Sequence, residues 1–168
     1  MPSLDLVGIR QGLADQITDF TGLRVYPVVP DVPEFPCITI DPGSPYIDLN
    51  GSFTGTAGTL CTVNLAVSLY VSAASGWRDA QLQLDRLLST GLTPNRCVYS
   101  AIESDRTIGG LAQTTVVQQV NGLGRELIQT DQGVQAYTAQ LDVEITPTVR
   151  SPHGCAGSAE PADRARRL

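Results

Sequence analysis

The stretch GTLCTVNLAVSLYVS, residues 58–72, decides the fold class because, from Cys61 onward, apolar side chains alternate with small or polar ones. The apolar set is Cys61, Val63, Leu65, Val67, Leu69 and Val71. The small or polar set is Thr62, Asn64, Ala66, Ser68 and Tyr70. A period of two places the sets on opposite sides of an extended chain. It predicts a long half-buried β-strand, suited to a hairpin arm or the centre of a sheet.

A second alternating stretch at residues 134–146 predicts another long strand. Its apolar set is Tyr137, Ala139, Leu141, Val143 and Ile145, and its polar set is Thr138, Gln140, Asp142, Glu144 and Thr146. Further strands are predicted at 23–29, 36–41 and 111–121. Pro27 assigns the first of these to a sheet edge or a bulge, because proline donates no hydrogen bond to a neighbouring strand.

Two amphipathic helices and a short third helix complete the pattern. The first is predicted over about 4–20 with Ser3 as its N-cap, and the second over about 76–89 with Ser75 as its N-cap. Apolar residues recur at helical spacing in both: Leu6, Ile9, Leu13, Ile17 and Phe20, then Trp77, Ala80, Leu84, Leu87 and Leu88. The short helix is predicted within 94–105.

The element order α-β-β-β-α-α-β-β predicts an α+β fold. We expect a mostly antiparallel, or mixed, sheet of four to five strands, with two amphipathic helices packed on one face and a short third helix. Residues 1–148 form one domain of the chain of 168 residues. Residues 149–168 lose all periodicity and are expected to be a disordered C-terminal tail. The connections 42–58 and 121–133 are long enough to be functional or mobile.

Charge and hydropathy limit the possible partners. Residues 1–149 carry seven arginines, no lysine and fifteen acidic residues, a net charge of −8, and four further arginines follow. Such an acidic body argues against a surface that grips nucleic acid, and equally fits a surface that DNA passes without sticking. No membrane span or secretion signal is predicted. We therefore expect the protein to stay inside the cell that makes it, or inside an assembly built there.

Catalytic and metal-binding constellations are not predicted. The one histidine, His153, lies in the expected tail, so serine and cysteine nucleophiles have no histidine base. The four cysteines form no CxxC pair and are interpreted as small buried hydrophobes. The carboxylate pairs Asp142 with Glu144 and Asp79 with Asp85 are interpreted as solvated acidic faces. We expect no cofactor and no enzymatic activity.

Two glycine-containing stretches could be interpreted as phosphate loops, but the residues and elements around them argue against this interpretation. NGLGRE (121–126) lacks the GxGxxG continuation, which favours a hairpin turn. ESDRTIGGLAQ (103–113) runs from helix to glycines to strand, whereas phosphate binds at a helix N-terminus. We interpret it as a hinge in which Arg106 binds the last helical carbonyls. Trp77 and Tyr70 are either a binding patch or core and capping aromatics, and the second is favoured.

The order of these segments resembles a known family. LDLVGIRQGLAD, GLRVY, AIESDRTIGGLAQ and AYTAQLDVEITP together are similar to the tail terminator (tail completion) proteins of long-tailed bacteriophages, especially those infecting actinobacteria. The likeness covers roughly residues 3–147 and is most specific in AIESDRTIGGLAQ. It implies a structural virion protein forming a ring, usually a hexamer, which caps the tail tube, ends tail polymerisation and joins the tail to the head connector while DNA passes through its lumen.

The resemblance also implies partners and a location. The partners are other copies of the chain, the major tail tube protein and the head-completion or stopper protein of the connector. The location is the tail neck of the virion, after assembly in the bacterial cytoplasm. An alternative function is another head-to-tail connector component, such as a stopper, and a more distant one is a small enzyme or ligand-binding module of the host.

Candidate contact residues follow from the two long loops and the acidic strand. The loop residues expected to contact the ring or the tube are Tyr46, Asp48, Asn50, Phe53, Arg125 and Glu126. The residues expected to form an acidic lumen face are Asp142 and Glu144.

Overall fold

The chain folds into an α+β domain around one five-stranded mixed sheet. The computed structural model of the protein describes residues 4–28, 30–31, 33–49, 61–91, 96–128 and 134–148. Within them the element order is α1 (Leu6–Thr21), β1 (Arg24–Tyr26), β2 (Cys37–Asp48), β3 (Thr62–Ser72), α2 (Trp77–Leu88), α3 (Val98–Ser104), β4 (Ala112–Ile128) and β5 (Val134–Pro147). The expected order and fold class are confirmed. The expected tail, residues 149–168, lies outside the described residues.

The sheet has the spatial order β1-β2-β3-β5-β4. β1 pairs in parallel with β2 and the other neighbours pair antiparallel. β3 and β5, the two alternating strands, lie side by side, so that Leu65 pairs with Val143 and Val67 with Leu141. Their apolar sets therefore share one face of the sheet, as the period of two predicts.

All three helices pack on this apolar face. Buried residues of the helices and of the inward-facing strand positions form one cluster, which includes Ile9, Leu13 and Ile17 of α1, Ala80 and Leu84 of α2, and Val98 and Ile102 of α3. Burial of one fully apolar side chain contributes about 1.5–3 kcal/mol, so this cluster is the main source of stability. Among the described residues, no helix has the length and apolar character needed to cross a membrane.

Helix starts and one stripe residue differ from the prediction. Asp5 is the N-cap of α1, because its carboxylate accepts a hydrogen bond from the Gly8 N–H at 2.8 Å. Gly76 is the N-cap of α2 and supplies no side-chain bond, so Ser75 is not a cap. Phe20 is 36% exposed, whereas Thr21 is buried and its hydroxyl donates a hydrogen bond to the Ile17 carbonyl. Ser3 itself lies outside the described residues.

Two strands extend into segments predicted as loops. β2 continues through Pro42 to Asp48 because the chain bulges between Pro42 and Ile47 and then resumes its pairing with β3. β4 continues to Ile128 through a second irregularity between Asn121 and Gly124, where Gly122 adopts a φ of 61°. The predicted hairpin turn at 121–126 is therefore wrong. Glycine there forms a bulge inside a strand, which sequence patterns do not distinguish from a turn.

Two of the cysteines lie in the interior as expected. Cys37 is 1% exposed and Cys97 is 0% exposed, while Cys61 is half-buried. Burial raises the pKa of the Cys37 thiol to about 11, because the thiolate would lose its hydration. Cys155 lies outside the described residues.

The turn between α3 and β4 replaces the expected contact of Arg106 with helix carbonyls. Nε of Arg106 donates to Oε2 of Glu103 at 2.7 Å, so this guanidinium forms an ion pair instead. The carboxylate of Asp105 accepts hydrogen bonds from the Thr107 N–H at 2.9 Å, its hydroxyl at 2.6 Å and the Gly109 N–H at 2.8 Å. The carboxylate of Asp105 thus accepts the hydrogen bonds that the N–H groups of the turn could otherwise donate to a phosphate. This agrees with the rejection of a phosphate loop.

Candidate functional site

The sheet face opposite the helices carries the polar sets of β3 and β5, and we call it the polar face. Register across it aligns Asp41 of β2 with Ala66 of β3 and Asp142 of β5, and aligns Asn64 with Glu144. Asp142 and Glu144 are two residues apart on one strand, so both point to this side. The predicted common face of the two carboxylates is confirmed.

Asp142 is held by a set of side-chain amides. Its Oδ2 accepts from Gln119 Nε2 at 2.8 Å and from Asn121 Nδ2 at 2.5 Å, and its Oδ1 accepts from Gln140 Nε2 at 2.8 Å. Neutral amides orient a carboxylate and satisfy its lone pairs, but they leave its negative charge uncompensated. Asp142 is therefore a fixed negative charge.

Two further carboxylates share this arrangement. Glu144 Oε2 accepts from Gln118 Nε2 at 3.1 Å, and Asp41 Oδ2 accepts from the Thr39 hydroxyl at 2.8 Å. All three acids are half-buried, and within the described part of the chain the ion pairs lie elsewhere, at Arg24–Glu34 and Glu103–Arg106. The polar face is thus negatively charged and only partly solvated, in contrast to the fully solvated face that alternation favoured.

The amide residues were missed by sequence reasoning. Gln118 lies at a register irregularity between Val117 and Gln119, and Gln119 and Asn121 follow it. A bulge shifts the alternation by one residue, so strict period two cannot bring adjacent glutamines to one face. The sequence signal that could have indicated them was the cluster of amide residues in one predicted strand and of acidic residues in another.

A bend in β2 forms one wall of a groove on the polar face. Gly43 approaches β3 so closely that a Cβ on it would lie 2.9 Å from the carbonyl carbon and oxygen of Asn64. The Asn64 side chain donates to the Pro45 carbonyl at 2.8 Å and ties the bend to the sheet. The wall is preformed, because backbone packing and a hydrogen bond both hold it.

The groove encloses about 640 Å³ above the central strands. Its floor includes Ser68, Tyr70 and Gln140, with Asp142 and Glu144 beside them. Over the segments that the structure describes, no group of three or more His, Cys, Asp or Glu residues is placed to hold a metal ion. The lining offers carboxylates, amides and hydroxyls, which can accept hydrogen bonds from a polar or cationic partner.

The structure places four of the six predicted contact residues in strands rather than in loops. Tyr46 and Asp48 belong to β2, and Tyr46 packs against the hydrophobic core. Arg125 and Glu126 belong to β4, where they pair with Tyr137 and Ala136 of β5. Asn50 and Phe53 lie outside the described residues. The loop assignment is wrong for Tyr46, Asp48, Arg125 and Glu126, because both segments continue as strands, while their contacts with the ring or the tube stay a prediction.

Arg125 is engaged by an aromatic pair on the helix side. Its Cζ lies 4.9 Å from the centre of the Trp77 ring, and Trp77 meets Tyr137 edge-on at 6.2 Å between centroids. Tyr70 points to the polar face, so Trp77 and Tyr70 form no common patch. The favoured interpretation as core or capping aromatics is wrong for Tyr70, whereas Trp77, the first residue of α2, contacts Tyr137, which packs against the core.

A smaller depression of about 460 Å³ lies between α1 and the α3–β4 turn. Gln16 crosses it, and its Nε2 donates to the carbonyls of Ala101 at 2.8 Å and Ile102 at 3.1 Å. These bonds satisfy carbonyls near the end of α3, where a helix leaves them without partners. The depression is thus built around a structural contact between two helices.

No protein-family model matches the chain, and a search of curated proteins gives no match.

Proposed function

We propose that the protein is a phage tail terminator: a structural ring, a hexamer of this chain, that caps the tail tube, ends its polymerisation and joins the tail to the head connector. The observation that carries the proposal is the polar face, a preformed acidic surface with amide-held carboxylates. The order of elements and the AIESDRTIGGLAQ segment, which forms the α3–β4 turn, supply the resemblance to the family.

The charge of the polar face supports a role at a DNA channel. β3, β4 and β5 contain one basic residue, Arg125, and its guanidinium lies over Trp77 on the other side of the sheet. A wall bearing Asp142 and Glu144 without cations repels phosphates, so DNA would pass without being retained. We therefore assign these two residues to the lumen of the proposed ring.

The proposed partners are other copies of this chain, the major tail tube protein and the stopper protein of the head connector. The proposed location is the tail neck of the virion, after assembly in the bacterial cytoplasm. The long edge strand β4 and the helix layer leave separate surfaces for contacts with copies and with other rings.

A capping experiment tests the proposal directly. Purified protein is mixed with polymerising tail tube subunits of the same phage, and tube lengths and ends are measured by negative-stain electron microscopy. We expect rings at tube ends and a shorter, concentration-dependent length distribution. Unchanged tubes without end-bound rings would refute the terminator function, and binding to the connector alone would favour the alternative of a stopper.

The lumen assignment has a separate test. An electron cryo-microscopy map of the assembled ring should place Asp142 and Glu144 on the channel wall, and both on the outer rim would refute it. The double variant Asp142→Asn, Glu144→Gln should still cap tubes but bind duplex DNA more strongly at low salt, because two phosphate-repelling charges are gone. Asp79→Asn, Asp85→Asn is the matched control, since both of these acids are exposed on α2.

A further inference from the structure

The polar face is a sheet surface on which no described helix packs, and its groove has the shape of a docking site. The groove lies between a fixed wall at Gly43 and Pro45 and a floor formed by β3 and β5. A preformed groove binds a segment without the cost of reorganising its own walls. The chemistry of the lining then decides which segment fits.

Charge selects the partner. Asp142 and Glu144 are about 7 Å apart along β5, and Asp41 lies two strands from Asp142, about 10 Å away. These spacings are close to the Debye length of about 8 Å at physiological salt, so the three charges act together on a cation. Their described neighbours are neutral amides and hydroxyls.

The chain carries its own matching cations. Arg150, Arg164, Arg166 and Arg167 are four of its eleven arginines, and residues 149–168 contain only two acids, Glu160 and Asp163. The planar fork of arginine forms paired hydrogen bonds with carboxylates. The acidic body and the basic segment are therefore complementary in both charge and hydrogen-bonding geometry.

The length of the segment fits the distance it must cover. Thr148, anchored by its N–H to the Leu111 carbonyl at 2.9 Å, lies six residues from Asp142 along β5, or about 20 Å. Arg164 lies sixteen positions after Thr148, and a random-coil linker of that length would have a root-mean-square span of about 20–24 Å. Effective concentration is highest when linker length and span match.

We infer that the stretch Arg164–Arg167 docks in the groove on the polar face of its own chain and pairs with Asp142 and Glu144. The contact belongs to the unassembled subunit and does not depend on the proposed ring. In that ring, release of the stretch would expose the carboxylates to the lumen. The docked stretch would also shield the acidic face from other cationic surfaces before assembly.

Disulfide trapping tests the contact in the full chain. Ser68→Cys in the groove is combined with Ala165→Cys, and Cys61→Ser and Cys155→Ser remove the other reactive candidates, since Cys37 and Cys97 are buried. Oxidation is followed on non-reducing gels at low and high salt. We expect a fast intramolecular bond that forms roughly tenfold more slowly in 0.5 M salt, where charges are screened.

Matched controls separate docking from chance collision. In a second variant Gln83→Cys replaces Ser68→Cys, because Gln83 is exposed on α2, on the other side of the sheet, and should react slowly. Asp142→Asn with Glu144→Gln should slow the groove reaction, whereas Asp79→Asn with Asp85→Asn should not. Equal rates at Ser68 and Gln83, or rates unchanged by the groove substitutions, would overturn the inference, and so would disulfide-linked dimers as the main product.

Discussion

The side chain of Ile108 fills the space that a Cβ on Gly12 would need. Such a Cβ would lie 2.7 Å from Cγ2 of Ile108, well inside van der Waals contact. Gly12 lies in α1, and Ile108 lies in the turn between α3 and β4. The missing side chain at position 12 therefore allows this turn to dock against the first helix.

Gly12→Ala should destabilise the fold despite the better helix propensity of alanine. Alanine in a helix interior normally gains about 0.5–1 kcal/mol over glycine, but overpacking costs about 1–3 kcal/mol. We expect a net loss of about 1 kcal/mol in the free energy of unfolding, measured by urea titration. In an Ile108→Ala background the loss should vanish, and an equal loss in both backgrounds would contradict the contact.

At position 108, substitution by glycine should destabilise the fold less than substitution by alanine. Its φ is 49°, a left-handed conformation that costs an L-residue about 1–2 kcal/mol. Both substitutions remove the buried side chain, but glycine also removes the strain, so Ile108→Gly should be about 1 kcal/mol more stable than Ile108→Ala. At Ile102, which is buried in α3, the alanine variant should be more stable than the glycine variant. Thermal denaturation of the glycine and alanine variants at both positions checks this.

Asp105 should contribute stability that depends on pH. Hydrogen bonds from the Thr107 hydroxyl, the Gly109 N–H and the Thr107 N–H, in that order, hold the pKa of its carboxyl below the ordinary 3.8. A lowered folded-state pKa means that the contribution is complete above about pH 5. It is lost as the pH falls through 3.8 toward the folded-state value.

The measurement compares Asp105→Asn with the parent between pH 3 and pH 7. We expect the asparagine variant to be less stable near neutral pH by about 1 kcal/mol, the scale of a lost side-chain cap. The difference should narrow as the solution is acidified. Asp85→Asn, exposed on α2, is the control, and a difference that grows on acidification would contradict the assignment.

The contact of Arg125 should be detectable by the fluorescence of the single tryptophan. Its guanidinium lies over the Trp77 ring, and such a cation–π contact contributes about 0.5–1 kcal/mol at an exposed site. Arg125→Ala should lower stability by that amount and change the Trp77 emission, whereas Arg86→Ala on the last turn of α2 should change neither. An unchanged emission spectrum would show that the contact is not populated in solution.

The sequence predicted the central strands well because their periodicity reports burial directly. β3 and β5 alternate over most of their length, and their apolar sets face one core. The shared face of Asp142 and Glu144 follows from the same rule. Helix bodies were also predictable from their apolar stripes, whereas their N-caps depend on local backbone angles that several nearby polar residues could satisfy.

The extensions of β2 and β4 were not predictable from local pattern. Pro42, Gly43 and Pro45 are typical of a loop, and only pairing with β3 and the bond from Asn64 keep this segment in the sheet. Gly122 and Gly124 similarly favour a turn, yet a bulge accommodates them. Tertiary pairing outweighs local preference in both places, so the groove wall and the amide cluster depend on contacts between distant segments.

The adjacency of β3 and β5 has a consequence for how the chain reaches this structure. β2 with β3, and β4 with β5, are neighbours in sequence, whereas β3 and β5 are separated by both α2 and α3. Two hairpins can therefore form early, and their union along the β3–β5 seam closes the longest loop between paired strands of the sheet. That seam carries the core on one side and the groove on the other, so the slowest step of folding would complete both together.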